Sequence, residues 1–437
     1  MSILGVELRR SAALGAALLA LTVGVIALYA APARWSHGWL ALAMTTREYT
    51  ILLWPLALAA GAWQGRREHR AKVGELFATT PRPRRRRMVP VLGAMAVATG
   101  LAYVLVVAAG GASLLTRSHY FSPDFLVISA VGVLSLVAAG WLGLGLGRLL
   151  PVLVTAPALG VAGVLLVFFS AVANPDWLAA VLSPMYGTGQ FTPDQTIDGG
   201  VSAAVAIWML ALAATGAVLL TATNWRSRVA AVLPAVLGLG LAAAVVPRDH
   251  DRLTSPIDPV ARELVCTDDA PKVCVTRVNA GVLDELAPLA REGLALLAEL
   301  PSPPTAVQEG VTGVPAPGPG VVRIPVRIDK NGGLAHPSVV VYEVVSRLGV
   351  EGDARCPGDP MVLRAAAYWL LGREPKSDVG VVPEMIFEDE PLNAQAVRLW
   401  QGLAKLPREE ASARVAAVQR AALNCQDTTG LLSRPAR

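Results

Sequence analysis

Charge is scarce in this chain of 437 residues, and lysine is scarcer than arginine. Asp, Glu, Lys and Arg make up 16% of the chain, whereas a typical soluble domain holds about 25%. The sequence has no GxxxxGK[ST] pattern, because none of the lysines at positions 72, 272, 330, 376 and 405 follows a suitable glycine run. The composition excludes an ordinary soluble protein, and the missing pattern leaves no usual phosphate loop for ATP.

Cysteine is absent from the long apolar part of the chain. The four cysteines, Cys266, Cys274, Cys356 and Cys425, all follow it. An even number of cysteines on an oxidising side predicts two disulfides. The short separation favours Cys266–Cys274, since closing a short loop costs less entropy, and this pairing leaves Cys356–Cys425. The other pairings and free buried thiols stay open, whereas the spacings do not match those of a zinc site.

Long uncharged runs are plentiful in the first part of the chain. A helix needs about 20 apolar residues to cross the hydrocarbon core of a bilayer. Such runs predict about seven transmembrane helices, near residues 11–33, 49–65, 88–116, 125–147, 149–175, 199–225 and 229–247. We therefore expect a polytopic α-helical membrane protein over residues 1–246. A signal peptide is the alternative for the first run, because Arg9 and Arg10 precede its apolar core.

The basic residues of this part are distributed unequally. Residues 1–246 hold 17 Lys and Arg against 8 Asp and Glu. If the N-terminus is cytoplasmic, 14 of the basic residues fall in cytoplasmic segments, and only Arg34, Arg47 and Arg117 fall in outer loops. Lys and Arg accumulate in cytoplasmic loops. The sequence therefore predicts a plasma-membrane protein with a cytoplasmic N-terminus and an extracytoplasmic domain over residues 247–437.

Nine basic residues lie in one segment, residues 65–88. Two membrane-length runs flank this segment, so contact with anionic lipid head groups is favoured over binding of nucleic acid. A short helix from Glu68 to Phe77 is predicted inside it. We expect this helix to end near Thr79, because a proline follows Thr80 and disfavours helix at the residue before it.

The same segment contains a pattern that resembles the coupling segment of type-2 ABC exporter permeases. It consists of Glu75, Leu76, Phe77, Thr80, Pro81 and Arg82. Six spans, a tight hairpin at 147–151 and a longer outer segment at 174–200 also resemble that family, over about residues 1–225. The resemblance implies a permease subunit that forms a homodimer or heterodimer. It also implies that a separate ATPase subunit docks on these six residues, while the seventh span and the final domain are additions.

The middles of the predicted spans contain no Asp, Glu, Lys or Arg. Carriers coupled to protons or ions usually place ionisable groups there. This absence argues against a secondary transporter and suits an exporter of amphipathic or lipid-like cargo. Gly143, Gly145 and Gly147 lie inside the fourth predicted span, where they predict close packing of helices rather than a nucleotide-binding loop.

Residues 247–437 predict an α-rich α/β domain. Strands are expected at 273–278 and 321–328, and a Pro- and Gly-rich loop is expected at 302–320. Helices are expected at 280–300, 337–348, 360–371, 393–406 and 408–423, the first of them capped by Asn279. Tyr342, Glu343 and Ser346 faintly resemble the zinc helix of gluzincin metallopeptidases, with Tyr342 and Ser346 at the two histidine positions. An ordinary amphipathic helix is the alternative, and we predict no catalytic, metal or cofactor site.

Three functions are compatible with these patterns, in a composition typical of a GC-rich, actinobacterial-like genome. The first is the permease subunit of an ATP-driven ABC exporter, which the coupling-like segment favours. The second is a non-transporting membrane sensor or scaffold whose outer domain binds a ligand or an envelope partner, which the added span and domain favour. The third is an outer-facing hydrolase, and the lack of a catalytic constellation counts against it.

Overall fold

The chain folds into two compact units, Met1–Ala261 and Arg262–Arg437. The computed structural model describes residues 13–70, 84–185, 192–254, 256–311, 318, 320–346, 348–349, 358–375 and 390–433. The sequence places the boundary at residue 246, but the first unit continues to Ala261. The reason is hydrogen bonding beyond the last apolar helix, where Thr196 N donates to Pro256 O at 3.0 Å and Asp258 N donates to Asp194 O at 2.9 Å.

The first unit is helical in its described part. Its helices are α1 (Ala13–Ala30), α2 (Trp39–Glu48), α3 (Thr50–Gly65), α4 (Arg67–Arg70), α5 (Arg84–Leu114), α6 (Asp124–Leu149), α7 (Thr155–Ala171), α8 (Asp176–Leu182), α9 (Gly199–Thr221), α10 (Trp225–Ala230), α11 (Leu233–Val245) and α12 (His250–Thr254). Within the described residues, five helical stretches are long and apolar enough to cross a membrane. They are Ala13–Ala30, Arg86–Leu114, Asp124–Leu149, Gly199–Thr221 and Trp225–Val245. The first unit therefore has the helices expected of a helical membrane protein.

The two remaining predicted spans contain helices of 17 and 16 residues, shorter than the typical crossing length of about 20 residues. Helix α7 has 17 residues rather than the 27 of the run 149–175, because non-helical backbone at Leu150 and the following Pro151 separate it from α6. Helix α3 has 16 residues, but it does not begin a separate segment. Tyr49, the residue before it, has helical dihedral angles, donates to Thr45 O and accepts from Leu53 N.

Helical hydrogen bonding therefore continues from α2 into α3. The second apolar segment starts at Trp39 and not near residue 49 as predicted. Arg47 and Glu48 interrupted the uncharged run in the sequence, and this interruption concealed the earlier start. At 1.5 Å per residue, Trp39 to Gly65 is about 40 Å long, enough to cross a bilayer.

Glycines bring α3 and α6 into backbone contact. A Cβ atom at Gly61 would lie 2.2 Å from Gly140 O, and one at Gly143 would lie 2.1 Å from Leu58 O. One turn further along, a Cβ at Gly65 would lie 2.3 Å from Leu144 O. The matched steps of four residues show that the two helices run in the same direction. The packing role predicted for Gly143 is confirmed.

The opposite face of α6 packs on α9 in the same way. A Cβ at Gly216 would lie 2.3 Å from Trp141 O, and one at Gly145 would lie 2.6 Å from Gly216 O. Near the starts of the two helices, Thr196 Oγ1 donates to Asp124 Oδ2 at 2.7 Å. Helices α3, α6 and α9 therefore run in parallel, with α6 between the other two.

Polar contacts join the loops at the end where α6 and α9 begin. Arg252 Nε donates to Asp198 Oδ2 at 2.9 Å, and His250 Nδ1 lies 2.9 Å from Asp176 Oδ2. Tyr120 Oη donates to Asp258 Oδ2 at 2.6 Å. Burial, followed by this hydrogen bond, raises the pKa of Tyr120 to about 12. Aspartate side chains are the partners in each of these contacts between the loops.

The other end of the first unit is basic. Arg66, at the end of α3, donates from Nη1 to Leu153 O at 3.2 Å, which ties α3 to the loop between α6 and α7. The arginines at the start of α5 and Arg148 near the end of α6 belong to this end as well. Such a division of charge is the pattern that the positive-inside rule describes.

The second unit is a four-stranded sheet covered by helices. Its described elements are β1 (Leu264–Cys266), β2 (Lys272–Thr276), α13 (Leu283–Leu297), β3 (Ala306–Glu309), β4 (Val321–Ile324), α14 (Pro337–Ser346), α15 (Pro360–Leu370), α16 (Glu390–Ala404) and α17 (Arg408–Leu423). The strand order is β1-β2-β3-β4. The first pair is antiparallel and the other two pairs are parallel. An α/β domain over this part was predicted.

Two local predictions for this unit are wrong. Strand β3 lies inside the predicted loop 302–320, where Val307 and Glu309 point into the core and the backbone pairs with both neighbouring strands. Asn279 lies in a 3₁₀ turn at Arg277–Val282 and does not cap α13. Its side chain instead donates from Nδ2 to Glu309 Oε1 at 2.6 Å. Contacts between residues distant in sequence decide both features: strand pairing forms β3, and the hydrogen bond to Glu309 holds Asn279.

Cys266 and Cys274 form the disulfide that the sequence favoured, across the antiparallel pair β1–β2. Cys425 is disulfide-bonded as well. Cys356, its expected partner, lies outside the described residues. A disulfide fits an extracytoplasmic location, since bonds of this kind persist in oxidising compartments.

Replacing Gly143 with Val is expected to separate α3 from α6. The added Cβ would overlap Leu58 O, and backbone cannot move aside as a flexible side chain can, so we expect a loss of about 3 kcal/mol or more. Thermal unfolding of the purified protein in mild detergent measures the loss. The control is Gly240→Val, at a position with nothing within 4 Å of a Cβ. Equal stability of the two variants would contradict the packing described.

Removing the β1–β2 disulfide is expected to loosen this edge of the sheet. The two cysteines are separated by 8 residues in sequence, a loop length for which chain entropy gives about 2.5 kcal/mol of stabilisation. In the variant Cys266→Ser with Cys274→Ser, amide hydrogen exchange should speed up in β1 and β2. Exchange in α5 and α6 of the same variant serves as the internal control. Unchanged protection of both strands would show that the bond adds no stability.

Candidate functional site

The predicted ATPase-coupling residues, Glu75, Leu76, Phe77, Thr80, Pro81 and Arg82, lie outside the described residues. The structure describes the two ends of their segment. One is Arg66, buried and bonded to Leu153 O, and the other is the arginine-rich start of α5. The coupling role of the six residues stays a prediction.

A buried arginine inside the helical unit is the feature that the sequence analysis missed. Arg47, in the last turn of α2, is only 3% exposed. Its Nη1 lies 3.4 Å from Ser135 Oγ on α6. Ser135 is about 16 Å along α6 from Asp124, at 1.5 Å per residue. Arg47 therefore reaches the middle of a membrane-length helix.

Further hydroxyl groups lie near this arginine. Tyr103 on α5 is fully buried and donates from Oη to Thr46 Oγ1 at 3.3 Å. Thr50 Oγ1 donates to the carbonyl oxygen of Arg47 at 2.6 Å. We call Thr46, Arg47, Thr50, Tyr103 and Ser135 the Arg47 cluster. It joins α2, α3, α5 and α6 at one level of the first unit.

The carboxylate next to Arg47 in sequence does not neutralise it. Glu48 forms an ion pair with Arg34 instead. The Thr45 hydroxyl, which donates to Arg34 O at 3.3 Å, holds the backbone of this second arginine against α2. Among the described residues, no acidic side chain forms an ion pair with Arg47. The cluster therefore has a net positive charge.

The Arg47 cluster corrects the prediction that the spans contain no ionisable group in their middles. The sequence analysis placed Arg47 in an outer loop, because a charged pair ended the apolar run. The signal that could have identified it is helical spacing. Thr50 follows Arg47 by three residues, Trp54 follows Thr50 by four, and such positions share one face of a helix; Thr46 lies four residues before Thr50. All four are buried.

Tyr342 and Ser346, which stand at the histidine positions of the zinc-helix pattern, have different surroundings in the second unit. Tyr342 on α14 stacks near Tyr368 on α15, with ring centroids 5.1 Å apart, and Arg364 lies within 6.0 Å of its ring. Burial raises the pKa of Tyr342 to about 12. Ser346 Oγ donates to the carbonyl oxygen of Glu343. Tyr342 therefore belongs to the core packing between α14 and α15.

A buried carboxylate on β3 joins the ends of β2 and β3 in the second unit. Glu309 Oε2 accepts from both the backbone N and the Oγ1 of Thr276, each at 2.7 Å, and its Oε1 accepts from Asn279. These bonds satisfy the carboxylate and fix the turn after β2. Within the described residues, no group of three His, Cys, Asp or Glu side chains could hold a metal ion.

Comparison of the chain with protein families, characterised proteins and solved structures finds no match.

Replacing Gly132 with Ala is expected to displace Tyr103 and disturb the Arg47 cluster. The added Cβ would lie 2.2 Å from Tyr103 Oη and 2.3 Å from its Cζ. We expect a loss of about 1 to 3 kcal/mol in thermal unfolding, whereas Gly15→Ala, with nothing within 4 Å, should cost much less. A second change, Tyr103→Leu, removes the overlapping atoms. The two changes should therefore be less than additive, and additive losses would contradict this contact.

Proposed function

We propose that this chain is the membrane-spanning permease subunit of an ATP-driven ABC transporter, an exporter that works with a separate ATPase subunit. The observation that supports the proposal best is the basic end of the first unit. There Arg66, the second residue of the segment 65–88, donates a hydrogen bond to the loop between α6 and α7. Two connecting segments thus meet at one positively charged end, where an ATPase subunit would dock.

The finer topology belongs to the same proposal. The seven crossings are α1, α2 with α3, α5, α6, α7, α9, and α10 with α11. The basic end is cytoplasmic and the second unit is extracytoplasmic, in agreement with the charge bias and with a disulfide in β1–β2. The parallel helices α3, α6 and α9 form the centre of each subunit. Two such subunits form the complete transporter.

A non-transporting sensor or scaffold is the second candidate. The observation in its favour is the separate unit Arg262–Arg437, which has a hydrophobic core of its own around Val273, Leu294 and Val344. A unit of this kind suits the binding of a ligand or an envelope partner. In that case, the segment 65–88 serves to anchor the protein to anionic lipid.

Co-purification distinguishes the two candidates. The tagged protein is extracted from its native membrane in mild detergent, and the proteins bound to it are identified. We expect an ATP-binding-cassette subunit with the unmodified chain, and its loss from the double variant Glu75→Arg with Phe77→Asp. The matched control is Asp268→Arg, an exposed charge reversal in the second unit, which should retain the ATPase.

Loss of the ATPase from the control as well would show that the six coupling residues have no special role. If no ATPase accompanies any of the three proteins and an envelope protein does, the permease proposal is wrong and the sensor candidate replaces it. The unmodified chain with its bound ATPase should also hydrolyse ATP.

A further inference from the structure

The guanidinium group of Arg47 is buried with almost no compensation. Arginine presents five N–H donors, and the side chain makes one long contact, 3.4 Å to Ser135 Oγ. Its Nε has no hydrogen-bond partner among the described residues. Removing an ion from water without a counter-charge is costly, so buried charges are paired with an opposite charge or with a ligand. In the part of the chain that the structure describes, no carboxylate is paired with this guanidinium.

The surrounding hydroxyl groups cannot provide the missing charge. Ser135 Oγ donates to Val131 O at 2.7 Å, and Thr46 Oγ1 donates to Leu42 O at 2.9 Å. Their hydrogen atoms are therefore committed to backbone carbonyls, and only lone pairs face the cluster. Tyr103 in turn donates to Thr46. The hydroxyls orient the guanidinium and the phenol, but they are all neutral.

Glu48 is committed to a different partner. Its side chain is 15% exposed and paired with Arg34, whose side chain is 35% exposed. This pair lies nearer the surface of the unit than Arg47 does. Turning Glu48 toward Arg47 would break its ion pair with Arg34. The described residues therefore supply no carboxylate to Arg47.

We propose that Arg47 binds the anionic head group of an amphiphile, a phosphate or carboxylate attached to an apolar chain. Guanidinium is suited to these groups because its planar fork donates two parallel hydrogen bonds to two oxygens. The apolar chain follows from the surroundings. Arg47 lies against the middle of α6, a helix long and apolar enough to cross a membrane, and such a position favours an alkyl chain over a hydrated ion.

This inference does not rest on ATP-driven transport. A permease would use the site to hold its cargo, and a sensor would use it to hold a regulatory lipid. The two possible sources of the amphiphile are a lipid of the surrounding bilayer and a separate single-chain compound. Both present the same chemistry to Arg47, and the experiment separates them.

The test measures thermal unfolding of the full-length protein in nonionic detergent. Four probes are added in turn: dodecyl phosphate, dodecanol as its uncharged counterpart, phosphatidylglycerol, and inorganic phosphate. Dodecyl phosphate or phosphatidylglycerol should raise the unfolding temperature of the unmodified protein more than dodecanol does. Inorganic phosphate should have a smaller effect. If phosphatidylglycerol raises the unfolding temperature more than dodecyl phosphate does, the source is a bilayer lipid. The opposite order indicates a separate single-chain compound.

Three variants examine whether Arg47 is responsible. Arg47→Gln should weaken probe binding by at least about tenfold, since hydrogen bonds to a charged group contribute more than that factor requires. Arg47→Met should lose the probe effect and, without probe, should be at least as stable as the unmodified protein, because an uncompensated buried charge has been removed. The control is Arg226→Gln, an exposed arginine on α10, which should keep the full probe effect.

Several outcomes would overturn the proposal. In one, neither anionic amphiphile stabilises the unmodified protein more than dodecanol does. In another, Arg47→Gln retains the full effect. A third is failure of Arg47→Met to fold, which would show that the guanidinium stabilises the unit by itself and needs no anion. None of these results depends on whether an ATPase subunit binds the chain, so the inference and the proposed function fail separately.

Discussion

Close approach of parallel helices is the constraint on which the first unit depends. Helix α6 lies between α3 and α9 with backbone touching backbone, and this is feasible only where one of the two helices has glycine at the contact, as at Gly143 and Gly216. In a bilayer the hydrophobic effect does not drive helices together, so tight packing through small residues takes its place. The same contacts fix the register of α3 against α6. That register brings Arg47 opposite Ser135.

The Arg47 cluster is the polar exception in an apolar unit. Placing an arginine at the centre of a membrane helix costs about 3 kcal/mol on insertion scales, and the cluster reduces that cost only by neutral hydroxyls. Intramembrane charges of this kind are commonly functional for that reason. The cluster also connects the two proposals. An exporter of lipid-like cargo needs an apolar route, and a single cation along it selects for an anionic head group.

The second unit is organised by different forces. Its core is formed by strands and amphipathic helices, and its polar anchor is Glu309, whose carboxylate is satisfied by Thr276 and Asn279. A disulfide adds a covalent constraint across β1–β2. A core and a disulfide together stabilise a domain of modest size. The arrangement agrees with an extracytoplasmic role in either candidate function.

Sequence patterns alone were enough to predict a helical membrane protein, its division into an apolar part and a polar part, the packing role of Gly143 and the favoured pairing of Cys266 with Cys274. Each of these depends on composition or on short spacing, which a linear pattern records directly. The tertiary structure decided the rest. It extended the second apolar segment back to Trp39, placed β3 in an expected loop and drew Asn279 away from a helix cap. It also buried Arg47 in the middle of the bundle. Whether a charge ends an apolar segment or lies inside it depends on what the neighbouring helices offer it, and those neighbours are distant in the sequence.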